Sequence, residues 1–333
     1  MRHFFTALTV GAIFCGLIQT AAAQTFVPGS GPGWYGSLGT IMLNRENPEY
    51  DVLSINPFTN APIYTTALVD FDTDFGYDLT FGRRFAGGGG LEARYFNVKM
   101  DTTLPTVFSP VGAATPYNHG ITAAQIGVLG PTFISSTYTS RLQSVELNAR
   151  LPATQNIDFL YGIRYLELAE ELGLQYEPAG FPQDVFGQHI GARNEMFGSQ
   201  FGLDALLFQG SWFSVKTFGK SGLYYNAAHG RVGNTSGNPV TFTRQSAGQD
   251  DEISFVSEGG LNLNLQLTRR LSFQTGYNLM YLGNVALASD QVAFGNPTND
   301  GTVVGVVGPL IPTGVDTSHL WLHGVTMGMS WVW

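Results

Sequence analysis

The stretch from Leu320 to Trp333 constrains the fold more than any other. Its odd positions are Trp321, His323, Val325, Met327, Met329, Trp331 and Trp333. Its even positions are Leu320, Leu322, Gly324, Thr326, Gly328, Ser330 and Val332. One face is large and mostly apolar; the other is mostly small or hydroxylated. A helix would scatter this period of two around its circumference, whereas a strand sends alternate side chains to opposite faces. A soluble sandwich can hold such a strand. An outer-membrane barrel closes on one, and this is the expectation the rest of the chain has to meet.

It does so strand by strand. Candidate strands fall at about 34–45, 74–85, 90–100, 137–151, 157–168, 195–208, 211–225, 251–267, 271–282 and 318–333. In the central part of nearly all of them the odd positions are apolar and uncharged, as in Phe75, Tyr77, Leu79 and Phe81, or Phe159, Tyr161, Ile163 and Tyr165. Arg83 and Lys99 break the rule only near strand ends, where long basic side chains can snorkel. The even positions hold the charges: Asp78, Glu92, Arg94, Glu146, Arg150, Asp158, Arg164, Asp204, Lys216, Lys220 and Glu258. These eleven are the expected lumen-lining residues. A soluble sandwich also has one polar face, but it seldom keeps the other free of charge over nine strands. The phase of the first strand, 34–45, is ambiguous.

The connections alternate long and short without exception. The short ones are Ala86–Gly89, Pro152–Asn156, Gln209–Gly210 and Thr268–Arg270, and the long ones are about 46–73, 101–136, 169–194, 226–250 and 283–317. All five tryptophans lie at or near strand ends, where an interfacial aromatic girdle belongs. The expected fold is therefore all-β: a transmembrane antiparallel up-and-down barrel of about ten strands, within a range of eight to twelve. Short turns would face the periplasm and long loops the exterior.

The N-terminus has a basic start, an apolar run from Phe4 to Ile18 and the small residues Ala21, Ala22 and Ala23. This predicts a signal peptide over 1–23, removed after Ala23, and one barrel domain over 24–333, placed in the outer membrane after export. The only cysteine, Cys15, lies inside that signal, behind Phe14 where a lipoprotein signal needs a small residue. Disulfide and thiol chemistry are thereby excluded from the processed chain. After the signal no apolar run is long enough for a transmembrane helix. Charged residues make up only 12% against 13% aromatic, with 42 glycines, which suits strands facing lipid around a crowded interior. The net charge of −9 argues against a nucleic-acid partner.

Catalytic and metal-binding readings are thin. His119, His189, His229 and His319 fall in the long loops, and Asp316 three residues before His319 could orient an imidazole for general-base work. No nucleophile is identifiable by spacing. Asp70, Asp72 and Asp74 alternate as carboxylates do in some calcium sites, without the glycine and bidentate glutamate of a calcium loop. Asp250, Asp251 and Glu252 read as a solvated loop. No catalytic, cofactor or metal residue is assigned.

Several stretches resemble a known family. They are Gly162-Ile-Arg-Tyr-Leu-Glu-Leu-Ala-Glu170, Asn194-Glu-Met-Phe-Gly-Ser-Gln-Phe-Gly202, Glu258-Gly-Gly-Leu-Asn262, Gly276-Tyr277 and Gly283-Asn-Val-Ala-Leu287. These are similar to the β-barrel porin-like outer-membrane proteins abundant in planctomycetes. The resemblance implies fold and location; it carries over no functional residue.

Six of the inward charges are acidic and five basic. Ten strands leave little interior space, since eight are just filled by side chains and wide channels appear near sixteen. The expected function is a narrow porin or channel for small solutes and ions, with weak ion selectivity. The alternatives are a non-conducting structural or surface-binding barrel with a salt-bridged lumen, and a rim-located enzyme. The expected partners are outer-membrane lipid, small solutes or ions, and the barrel-assembly machinery through the strand ending in Trp333; no cofactor is implied.

Overall fold

The computed structural model describes residues 32–48, 51–114, 128–180, 185–236, 242–293 and 315–333. The segment read as an export signal, with Cys15, and also His119 lie outside them. In chain order the strands are β1 (Gly33–Arg45), β2 (Val52–Ile55), β3 (Pro62–Thr65), β4 (Asp74–Arg84), β5 (Gly90–Ser109), β6 (Gly112–Ala113) and β7 (Val128–Leu129). There follow β8 (Thr132–Pro152), β9 (Ile157–Pro178), β10 (Phe186–Gln209), β11 (Phe213–Ser236), β12 (Phe242–Gln266), β13 (Leu271–Val285) and β14 (Ser318–Val332). Ten of them close into one antiparallel barrel in the order β1-β14-β13-β12-β11-β10-β9-β8-β5-β4. The closing seam pairs Tyr35 with Val332 through Arg45 with Leu322. Beyond it, Trp34 N–H and Trp333 N–H each donate to the other residue's carbonyl, at 3.1 and 3.0 Å. A closed barrel leaves no edge strand and no unpaired ladder in lipid.

The ladder settles the phase of β1, which is reversed in parity relative to the other strands: Tyr35, Ser37, Ile41 and Leu43 turn inward, while Leu38 is 54% exposed on the outside. The other strands keep odd positions outward over the half nearest the short turns, as with Phe81, Tyr161, Phe201 and Leu261.

The strands run further than the sequence reading placed them. The expected loops at 101–136, 169–194 and 226–250 consist in large part of strand. The reason is an inversion of polarity along the longer strands. Toward the short turns, the outer face is apolar and the inner face polar. Toward the long loops, Leu166, Leu168, Leu172, Leu174 and Tyr176 of β9 are buried inside while Glu167, Glu171 and Gln175 face out. At the crossover two large residues stand side by side: Tyr95-Phe96, Tyr165-Leu166, Met196-Phe197, Tyr224-Tyr225, Phe255-Val256, Met280-Tyr281 and Trp321-Leu322. The outer member of each pair forms an aromatic ring around the barrel. The inner member begins an apolar core of the kind a water-soluble barrel has. Trp34, Trp212, Trp331 and Trp333 make the opposite girdle, at the turn end.

The loop-end core is completed by segments folded into the barrel mouth. The β2–β3 hairpin contributes Leu53 and Tyr64, the segment after it Val69 and Phe71, and the segment following β13 Ala286, Leu287 and Ala288, all buried. Backbone hydrogen bonds of 2.8 and 3.0 Å between Ile55 and Ala114 tie the first two long connections together.

Candidate functional site

The chemistry of this protein is concentrated in the barrel lumen, where three polar assemblies are stacked. The middle one contains Arg94 (β5), Glu146 (β8), Arg164 (β9), Lys220 (β11), Glu258 (β12) and Asp78 (β4). Even positions on strands of fixed register converge here because alternate side chains all point to the axis. Arg94 forks onto Asp78 at 3.1 and 2.8 Å and reaches Glu258 Oε1 at 2.6 Å. Arg164 donates to Glu258 Oε2 at 2.9 Å and to Ser144 Oγ at 2.8 Å. Lys220 Nζ donates to both oxygens of Glu146, at 3.0 and 2.9 Å, and lies 3.4 Å from Glu258. Gln200 donates to Glu146 Oε2 at 2.8 Å. Three cations face three carboxylates, and both glutamates are fully or almost fully buried.

The placement of Arg94 and Glu258 is decisive. β5 and β12 stand five places apart in a ring of ten, on opposite walls. An ion pair between them crosses the lumen. Glycine makes room only in part for these long side chains. A methyl at Gly202 would meet the Lys220 side chain at 2.8 Å, but at Gly162 it would meet the Asn148 amide and the Leu147 carbonyl, both at 2.3 Å.

The second assembly lies nearer the short turns. Arg150 bridges Glu92 at 3.1 Å and Asp204, with Asp158 at 3.9 Å. Arg84 donates to Asp158 at 2.9 Å, and the Tyr35 hydroxyl donates to Glu92 at 2.7 Å. Lys216, on the inner face of β11, makes no ion pair and no side-chain hydrogen bond among the described residues. All eleven residues singled out from the sequence turn inward. Ten of them fall into these two assemblies, and Lys216 stands apart. Arg84 and Tyr35 are not legible as lumenal from the sequence, the first because it ends its strand beside the outward Arg83, the second because the phase of β1 is open.

The third assembly lies at the loop end, beyond the apolar outer band. Arg45 and Glu170, both with fully buried side chains, form an ion pair between β1 and β9. Glu170 also accepts from the Tyr138 hydroxyl at 2.7 Å, Ser140 Oγ at 2.9 Å and the Ala288 amide at 3.1 Å. The Arg45 guanidinium lies 4.6 Å from the Phe71 ring centroid. Asn194 binds the Ala286 backbone from both sides, donating to its carbonyl at 2.8 Å and accepting from its amide at 2.7 Å. These contacts fasten the segments that cap the barrel mouth. Glu170 closes the family-like stretch beginning at Gly162, yet its partner Arg45 is more than a hundred residues away and has no sequence signal.

The rim carries less. His319 is exposed, its ring 6.1 Å from that of Tyr281, and no carboxylate pairs with it among the described residues. Asp316 is exposed, and its backbone carbonyl accepts from Gln291 at 2.6 Å. The suggested Asp316–His319 pairing is therefore not formed.

No curated protein matches this sequence. Among solved structures the chain is similar to the outer membrane protease OmpT from Escherichia coli, at 9% identity and a TM-score of 0.46, covering 94% of this chain and 100% of that one. It is similar to the toluene transporter TodX of P. putida at 9% identity and a TM-score of 0.27, covering 90% and 89%. It is similar to an anion-selective porin from Comamonas acidovorans at 9% identity and a TM-score of 0.20, covering 91% and 99%. A family model described as "Putative beta barrel porin-7 (BBP7)" matches residues 130–333, more than half of the chain, and this porin-like outer-membrane β-barrel protein belongs to that family.

Proposed function

We propose that this protein is a closed barrel of the outer membrane, a structural or surface-presenting element whose lumen does not conduct in its resting state. The observation that carries this reading is the Arg94–Glu258 pair, 2.6 Å long, joining opposite walls in the middle of the lumen. Above it, Phe96, Leu166, Met196, Tyr224, Val256, Met280 and Leu322 are 0–4% exposed and form an apolar layer toward the loops among the described residues. Ions do not cross such a layer without removing both the ionic knot and the apolar one. In this reading residues 1–23 direct export, the short turns face the periplasm, and the strand ending in Trp333 engages the assembly machinery. The narrow porin remains the second reading, favoured by one observation: the turn-end half of the lumen holds a polar cavity of about 250 Å³. Conduction would then require the knot to open.

The test is single-channel recording of refolded protein in a planar bilayer. Silence is expected from samples whose gel mobility still shifts on heating, as a folded barrel's does. Reproducible steps from wild-type protein would instead establish an open pore.

A further inference from the structure

The cavity at the turn end differs in character from the rest of the molecule. Its lining reaches from Asn278 and Lys220, beneath the sealed layer, to Arg270 and Val332 at the short-turn end. The chain carries a net charge of −9. Yet the charged residues lining this cavity are six cations, Arg84, Arg94, Arg150, Lys216, Lys220 and Arg270, against three carboxylates, Asp78, Glu92 and Asp204. The carboxylates that balance the remainder, Glu146, Asp158 and Glu258, are not among the lining residues.

The two walls also differ. The lining charges of β4, β5 and β8 are held in ion pairs, with one another or with Asp158, Asp204 and Glu258. Across the cavity, Lys216 of β11 lies beside Asn262 of β12, and Asn264 lies between Ser214 and Gln274 of the adjacent strands. Among the described residues, Lys216, Asn262, Asn264 and Gln274 make no side-chain hydrogen bonds, although all four line the cavity. An ammonium that makes no ion pair among the described residues, flanked by amides whose N–H groups are uncommitted, is a donor surface that a small anion completes. The charges opposite are held in their own ion pairs and do not fold onto the ligand.

We propose that this cavity binds small soluble anions bearing a carboxylate or phosphate group, entering from the short-turn side, with Lys216 as the principal contact and Asn262 and Asn264 as supporting donors. The site stands independently of whether the barrel conducts.

The experiment is calorimetric titration of the full chain, refolded in detergent micelles, with inorganic phosphate and separately with succinate, using glucose as a neutral control. At least one anion should bind saturably and glucose should not; the tighter of the two identifies the preferred group. Lys216→Met should weaken binding about tenfold or more, the worth of one charge-assisted hydrogen bond. Lys99→Met, at an exposed outer position, should leave it unchanged. If Lys216→Met fails the gel-mobility test for folding, Asn264→Asp takes its place, since a carboxylate on that wall should abolish anion binding. The proposal is overturned if neither anion saturates wild-type protein, if glucose binds as well, or if a folded Lys216→Met or Asn264→Asp variant binds as wild type does. Because the titration needs no current, a conducting barrel with an intact site refutes the closed-lumen reading alone.

Discussion

Replacing Glu258 by Gln decides whether the middle of the lumen is dry. The change keeps the shape of the side chain, so no cavity is created, and removes one charge. Glu258 is 3% exposed and is held by Arg94 at 2.6 Å, Arg164 at 2.9 Å and Lys220 at 3.4 Å. Without it, three cations face only Glu146 and Asp78. Removing one partner of a buried ion pair costs about 3–5 kcal/mol, because the remaining charge stays desolvated. In a lumen filled with water the same pair would contribute about 0–1 kcal/mol. The two cases differ by a factor of roughly 10² or more in the folding equilibrium. Urea titration of the barrel refolded in lipid vesicles, followed by tryptophan fluorescence and gel mobility, reads the difference directly. Lys99→Gln, which breaks an exposed pair with Asp101 at 2.6 Å, is the control and should shift stability by no more than about 1 kcal/mol. A Glu258→Gln protein as stable as that control would mean that water reaches the knot, and the argument for a closed lumen would fail.

Leu263→Arg on the lipid-facing side of β12 should cost about 2–4 kcal/mol of folding into vesicles near the midplane, while Asn264→Arg, one residue on and facing the cavity, should be far milder; equal tolerance at both sites would overturn the assignment of faces. Asn194→Ala strands the Ala286 amide and carbonyl, which it binds at 2.7 and 2.8 Å, so the cap should lose about 2–4 kcal/mol of docking energy. Limited proteolysis after Ala286 should accelerate accordingly, and an unchanged cleavage rate would show that the segment is held by other contacts. Burial pushes the Tyr64 phenol in the capping hairpin up to about 12. Its contribution to stability is therefore complete below the ordinary phenol value of about 10 and is lost as pH rises from there through 12. Tyr64→Phe should remove that part of the alkaline loss, and an identical alkaline profile in the variant would refute the account.

The division between what was legible in the residues and what was not follows from the physics of the two faces. Lipid imposes a strict rule on every outward position, so the apolar odd series from Phe75 to Tyr281, together with that of the last strand, reveals nine strands, their boundaries at the short turns and the inward set from Asp78 to Glu258. No comparable rule acts above the aromatic ring. There the outer face meets water, apolar residues move inside, and the phase of the pattern inverts at pairs such as Tyr165-Leu166. A reading that follows one apolar face therefore ends the long strands too early, as on β9 at 168 instead of Pro178. β1 is ambiguous in sequence because its inward residues mix sizes and polarity, with Tyr35, Ser37 and Gly39 followed by Ile41 and Leu43.

The sequence by itself determined that the chain is a barrel with alternating apolar and polar faces over the half nearest the short turns. Only the tertiary structure decided which charges meet. Arg94 reaches Glu258, 164 residues away, because the ring of ten strands places β5 opposite β12. Arg45 finds Glu170 across 125 residues for the same reason. Periodicity fixes the direction of a side chain along its own strand, but the partner across a lumen depends on the order in which the strands close, and that is a property of the whole barrel.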